Sequence, residues 1–140
     1  MDVKRLGVGT AVGGITVYAL GYVIFQKLFA AFYAANHGSA TGVDRSEQII
    51  WAVALGSLAY GKLITYVMML RGGRTVLDGA KVGAIVGLLL WLTTDMILYG
   101  ATNMNNLNVA IVDPLLEGVR GGLTGAVIAS VLSRVPGPTA

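Results

Sequence analysis

The chain has 140 residues, of which 55% are hydrophobic and 12% are charged, and its formal net charge is +3. Soluble domains carry about a quarter charged residues, so this composition predicts a protein that lies in lipid. The basic residues are spread over predicted helix ends instead of forming one patch, which argues against nucleic-acid binding. Because there is no Cys, disulfides, thiolate nucleophiles and iron–sulfur ligation are excluded.

Four apolar segments are predicted to be membrane-spanning helices, over residues 6–35, 49–70, 79–102 and 109–135. A backbone in lipid must satisfy its own hydrogen bonds, and the alternating runs that are typical of barrel strands are not seen. At about 20 residues per crossing, four helices and short loops fill the chain, which predicts a single domain. The expected fold class is therefore all-α, an integral membrane four-helix bundle.

The first segment has one feature of a secretory signal, because Lys4 and Arg5 precede its apolar stretch. That stretch runs over residues 6–25, whereas the core of a signal peptide spans roughly 7–15 residues. No cleavage site of small residues follows at a suitable distance. We therefore expect an uncleaved first helix.

Lysine and arginine predict the orientation of the bundle. Near the predicted helix ends, one side carries six of them: Lys4, Arg5, Arg71, Arg74, Lys81 and Arg134. The loops of the opposite side carry only Arg45. Since positive residues accumulate on the cytoplasmic side of a membrane, both termini and the connector at residues 71–74 are expected to be cytoplasmic.

Glycines recur at helical spacing in the third and fourth segments. The candidate helix-packing positions are Gly79, Gly83, Gly87, Gly118, Gly121, Gly122 and Gly125. Without a Cβ, two helix backbones can approach closely, so these glycines predict a helix–helix contact within the protomer or between protomers. A further glycine run at residues 7–14 lacks the spacing of a nucleotide-binding loop, and no strand precedes it.

Five of the ionisable residues inside the predicted helices form a candidate intramembrane polar network: Lys62, Asp95, Asp113, Glu117 and Arg120. Each costs about 2.5–3.5 kcal/mol at the centre of a bilayer, so they are expected to pair or to face water. Asp113, Glu117 and Arg120 fall on a narrow stripe of the fourth helix, which we expect to face the interior together with Asp95. Two interpretations remain open, a salt-bridge network that holds the helices in register and a proton or ion relay.

The remaining polar residues predict no metal site and no catalytic site. His37 is the only histidine and lies in a predicted loop, and no zinc-type spacing or Ser-His-Asp arrangement can be assembled around it. Tyr33, Trp51 and Tyr99 lie near predicted helix ends and are interpreted as interfacial anchors. We expect no metal, no cofactor and no enzymatic activity, and a lipid-modifying enzyme is the third hypothesis for function.

The second half of the chain combines a glycine-rich third helix with three short elements: Thr93-Thr94-Asp95, Thr102-Asn103 and Val112-Asp113. With these elements, residues 83–126 resemble uncharacterised families of small four-helix bacterial inner-membrane proteins. The resemblance implies a location in the bacterial inner membrane, and it implies no activity.

The leading hypothesis is a non-enzymatic structural or accessory membrane protein that contacts lipid and does not bind nucleic acid. It is expected to self-associate as a homo-oligomer or to pack as a subunit of a larger membrane complex. The alternative is a small ion- or proton-coupled transporter or channel that uses the intramembrane carboxylates. A transporter of this length is expected to oligomerise, because four helices enclose little space.

Overall fold

The computed structural model describes residues 2–72 and 75–136, which form long helices joined by short loops. Helix α1 is Val3–Gly21 and continues as a π-helical segment, Tyr22–Leu28; the other helices are α2 (Ala30–Ala35), α3 (Ile50–Leu70), α4 (Val76–Ala101) and α5 (Leu107–Leu132). No strand occurs among the described residues, which confirms the all-α class for them. Gly73 and Arg74 of the predicted second connector, and residues 137–140 of the tail, lie outside the described residues.

Four stretches are long and apolar enough to cross a membrane: Val3–Leu28, Ile50–Leu70, Val76–Ala101 and Leu107–Leu132. Their number and composition suggest a multi-pass membrane protein. Adjacent helices run antiparallel, since Gly79 lies against Gly125 and Gly87 lies against Glu117. We call the end of the bundle near Val3 and Leu132 the terminal end, and the opposite end, near residues 29–49 and 102–106, the loop end.

The first predicted helix is divided in the structure, and this differs from the single helix expected over residues 6–35. Phe29 leaves the helical conformation with φ −112° and ψ 9°, directly after the π-helical segment. A straight helix of the predicted length would measure about 45 Å, well beyond the roughly 30 Å of a hydrocarbon core. The bend is packed by edge-to-face rings, with Phe25 and Phe32 each lying against Tyr33 at centroid distances of 5.6 Å and 5.5 Å. A sequence signal for the bend is the polar pair at residues 26–27, which interrupts the apolar run shortly before Phe29.

Side-chain caps start α4 and α5 earlier in the chain than predicted, at Val76 and Leu107 instead of residues 79 and 109. The Thr75 hydroxyl accepts a hydrogen bond from the Asp78 N–H at 3.1 Å, and the Asp78 carboxylate accepts one from the Thr75 N–H at 3.2 Å. The Asn106 side chain likewise accepts from the Val109 N–H at 3.1 Å, so α5 begins at Leu107. Pro114 consequently lies inside α5 and not in its first turn.

The seven glycines predicted for helix packing all lie at the contact between α4 and α5. A methyl group at Gly83 would overlap the carbonyl oxygen of Gly121, and one at Gly79 would overlap that of Gly125. Gly118 and Gly122 leave more room, since a Cβ there would lie 3.4 Å or more from α4. Of the two arrangements left open by the sequence, these glycines therefore form a contact within one chain.

Helix α1 packs between α3 and α5 through glycines that the sequence analysis did not assign. A Cβ at Gly13 would lie 2.9 Å from the Cα of Gly61 and 2.8 Å from a methyl group of Ile128. The apolar core fills the half of the bundle toward the terminal end: Ile64, Met68, Val82, Ile128, Ala129 and Leu132. The buried acidic residues of α4 and α5, which are Asp95, Asp113 and Glu117, lie in the other half.

Replacing Gly83 by Leu is expected to force α4 and α5 apart, since even a methyl group overlaps the backbone of α5. Overpacking of this kind costs about 1–3 kcal/mol or more. The measurement is the unfolding midpoint in mixed micelles of increasing denaturing detergent. Gly100→Leu is the matched control, because nothing lies within 4 Å of a Cβ at Gly100 on the same helix. Equal midpoints for the two variants would contradict the contact.

Candidate functional site

Three carboxyl groups are buried between α4 and α5 in the half of the bundle toward the loop end. Asp95 is 3% exposed, Asp113 is 8% exposed and Glu117 is 1% exposed. Asp95 and Asp113 each lie about two turns from the end of their helix. Since the two helices are antiparallel, the acidic positions of α4 and α5 meet at the same depth. We call these three residues the acid cluster.

Within the acid cluster, Asp95 and Asp113 form a carboxyl–carboxyl pair. Their side chains are close enough to share a hydrogen bond across the two helices. An ionised carboxylate only accepts hydrogen bonds, so a bond between two carboxyl groups needs a proton on one of them. A carboxyl–carboxyl contact of this kind can therefore hold a proton.

Glu117 pairs with a cation on its own helix. Its carboxylate lies 2.6 Å from the Arg120 guanidinium, at the i, i+3 spacing that the sequence indicated. The guanidinium also lies over two aromatic rings, 5.3 Å from the centroid of Phe25 and 5.6 Å from that of Tyr60. Gly21 supplies the room beside it, because a Cβ there would lie 3.4 Å from the guanidinium carbon. Arg120 is thus held by one carboxylate and two ring faces.

Tyr60 joins α3 to this site. Its hydroxyl fits into a notch between Gly87 and Gly121, where a methyl group on either residue would overlap it. The hydroxyl donates to the Glu117 carbonyl oxygen at 3.5 Å. Two of the predicted packing glycines therefore also make room for a tyrosine that the sequence analysis did not single out.

Tyr33 of α2 reaches the acid cluster from the loop end, although its position at a predicted helix end indicated only an interfacial anchor. Its phenol donates a hydrogen bond to the Asp113 carboxyl group. Burial raises the pKa of the Tyr33 phenol, and the hydrogen bond to Asp113 raises it further, so the phenol keeps its proton. No sequence pattern gives this contact, because it depends on the bend at Phe29.

The structure does not bring Lys62 to the other four residues of the predicted polar network. Lys62 lies on the exposed face of α3 and makes no hydrogen bond or ion pair within residues 2–72 and 75–136. It follows Tyr60 by two positions, which is about 200° around a helix. Since Tyr60 points into the bundle, Lys62 must point out of it.

Without Lys62, the acid cluster carries more acid than base. Three carboxylates and one guanidinium would leave two negative charges uncompensated if all four groups were ionised. Several buried polar atoms nearby also lack a hydrogen-bond partner among the described residues: Trp91 Nε1, Asp95 Oδ2, Glu117 Oε2, Arg120 Nε and Thr124 Oγ1. Such atoms are expensive to leave unpaired, and here both donors and acceptors are present. The arrangement can bind protons or small polar species.

Comparisons with protein-family models, with curated proteins and with solved structures find no match to this chain.

Removing Arg120 is expected to destabilise the bundle more than removing Arg120 and Glu117 together. Breaking a buried pair costs about 3–5 kcal/mol, because the surviving charge keeps its desolvation penalty. We expect Arg120→Leu to lower the unfolding midpoint in detergent, and Arg120→Leu with Glu117→Gln to recover part of the loss. If the single and double variants both unfold at the wild-type midpoint, the pair contributes nothing to stability.

Proposed function

We propose that this chain is a multi-pass membrane protein that binds and exchanges protons at its acid cluster, as a small proton-coupled transporter or channel. The observation that carries the proposal is the excess of two buried carboxyl groups over the single guanidinium. Uncompensated charge is costly in a low-dielectric interior, and protonation of carboxyl groups removes it. Exchange of these protons with water is the reaction that the cluster supports best.

A purely structural network, the other interpretation of the same residues, favours equal numbers of acids and bases. The Glu117–Arg120 pair fits that expectation, because it is balanced and closely contacted. Asp95 and Asp113 do not, since no second cation reaches them among the described residues. We therefore assign a structural role to the balanced pair and the proton-exchanging role to the aspartate pair.

The distribution of polar and apolar side chains supports proton entry from the loop end. The aspartate pair lies near that end, where Tyr33 contacts it. Toward the terminal end, the interior is filled by apolar side chains such as Met68, Ile128 and Leu132. Passage across the whole bundle therefore requires a rearrangement of the helices or a second copy of the chain.

The charge distribution supports cytoplasmic termini, which would place the loop end outside. Among the described residues, the terminal end carries five basic residues, which are Lys4, Arg5, Arg71, Lys81 and Arg134. The loop end carries Arg45 and also Lys27, which lies in the last turn of the first candidate span. Together with the resemblance to bacterial inner-membrane families, this supports proton uptake from the outer face of that membrane. Homo-oligomerisation is part of the same proposal, because one four-helix bundle encloses little space.

Lys62 favours a second candidate function, that of an accessory subunit in a larger membrane complex. It is a charged side chain on the exposed face of a candidate span, where an anionic partner would compensate it. A carboxylate of a neighbouring subunit would compensate the Lys62 ammonium group. If the flexible lysine side chain reached the lipid headgroups instead, no protein partner would be needed. The protein content of the complex in mild detergent distinguishes the two functions, because a homo-oligomer contains this chain alone, whereas an accessory subunit co-purifies with a second protein.

Asp95→Asn is expected to reduce proton uptake into liposomes that contain the purified chain to the level of protein-free liposomes. Asparagine keeps the size of the side chain and removes the exchangeable carboxyl proton. The measurement is the change in internal pH after a membrane potential is imposed. Asp44→Asn, at an exposed loop carboxylate, is the matched control and should retain wild-type uptake. Wild-type uptake by Asp95→Asn would overturn the proposed function.

A further inference from the structure

Helix α2 contacts the loop end of the bundle next to the aspartate pair. At its centre, Tyr33 donates to Asp113. At its C-terminal end, the Asn36 side-chain oxygen accepts hydrogen bonds from the side chains of Asn106 at 3.2 Å and Asn108 at 2.8 Å. These contacts tie α2 to the start of α5, which is the helix that carries Asp113.

The chain after α2 is tied to the loop between α4 and α5 through its backbone. The Gly38 N–H donates to the Met104 carbonyl oxygen at 3.0 Å, and the Ala40 N–H donates to that of Asn103 at 3.0 Å. His37 and Asn105 form an isolated antiparallel bridge between the same two segments. We call residues 36–40 the strap.

Helix α2 is attached to the rest of the bundle by features that permit it to move as a unit. It contains no fully buried residue, and it is preceded by the non-helical Phe29 and the π-helical segment. Interruptions of this kind often occur at functional sites. Its contacts with α5 are mainly hydrogen bonds at the end of the bundle, where water can replace them. Segments with few buried apolar contacts open at low free energy.

We infer that α2 is a lid over the aspartate pair, and that Tyr33 is the residue that holds it closed. This inference rests on the proposed function, since it names what controls access to the proton-exchanging site. In the closed state the Tyr33 phenol is hydrogen-bonded to the Asp113 carboxyl group. When α2 swings about Phe29, Asp113 loses the phenol and gains water, which can deliver or remove its proton.

One ring connects the lid to the ion pair below it. Phe25 lies edge-to-face with Tyr33 at 5.6 Å and beneath the guanidinium of Arg120 at 5.3 Å. Movement of Tyr33 therefore changes the packing of the ring that supports Arg120. The lid is thus in contact with both the aspartate pair and the Glu117–Arg120 pair.

A disulfide across the strap tests the lid directly. Because the chain has no Cys and bridged residues have Cα atoms about 4.5–5.5 Å apart, His37→Cys with Asn105→Cys has suitable spacing for a disulfide. The readout is the rate at which a water-soluble carbodiimide modifies Asp113, followed by mass spectrometry. We expect oxidation of the double variant to slow this modification about tenfold, and reduction to restore it, because the bond restricts opening.

Tyr33→Phe is expected to favour opening of the lid, whereas the disulfide restricts it. Loss of the hydrogen bond to Asp113 should speed the modification of Asp113 about tenfold, because hydrogen bonds to carboxyl groups shift an opening equilibrium by that order. Modification of the exposed Glu47 is the internal control and should not change in any variant. The single variant His37→Cys should respond to neither oxidation nor reduction.

Equal modification rates in the oxidised and reduced double variant would overturn the lid, and so would absence of Asp113 modification in both the reduced variant and Tyr33→Phe. These outcomes are independent of proton uptake. If Asp113 becomes accessible only when the strap is reduced, but Asp95→Asn takes up protons like the wild type, the lid stands and the proposed function fails. If proton uptake requires Asp95 but the modification rate of Asp113 does not depend on the disulfide, the proposed function stands and the lid fails.

Discussion

The close approach of α4 and α5 is the constraint on which the site depends. Glycines such as Gly83 and Gly121 let the two backbones touch, and there is no room for a methyl group between them. At this separation, the short side chains of Asp95 and Asp113 meet across the contact. A larger distance between α4 and α5 would admit lipid or larger side chains, and each aspartate would then be buried without the other.

The rest of the bundle is arranged around the charge that this contact buries. Arg120 compensates one carboxylate, and the π-helical segment and α3 provide the rings of Phe25 and Tyr60 that hold its guanidinium. The π-helical segment and the bend at Phe29 bring Tyr33 back over the aspartate pair. The π-helical segment and helices α2 to α5 therefore each contribute a side chain to the same region, while the apolar core fills the other half.

Sequence patterns predicted those features that depend on one helix alone. The stripe of Asp113, Glu117 and Arg120 follows from helical periodicity, and the glycine positions follow from their spacing. Features that depend on how helices are rotated against one another could not be predicted in this way. The predicted network includes Lys62 because it is an ionisable residue inside a predicted helix, but Tyr60 points into the bundle and Lys62 therefore points out of it. Tyr33 was interpreted as an interfacial anchor because the direction of the chain after the bend at Phe29 cannot be predicted from helical periodicity.

The infrared absorption of protonated carboxyl groups at neutral pH is the most direct measurement of the excess acid in the cluster. The purified wild-type chain should show such a band, since the proton that we propose for the aspartate pair cannot leave without adding uncompensated charge. The double variant Asp95→Asn with Asp113→Asn should lose it, whereas Asp44→Asn should keep it. A wild-type spectrum without the band, or a band that persists in the double variant, would contradict a proton held between Asp95 and Asp113.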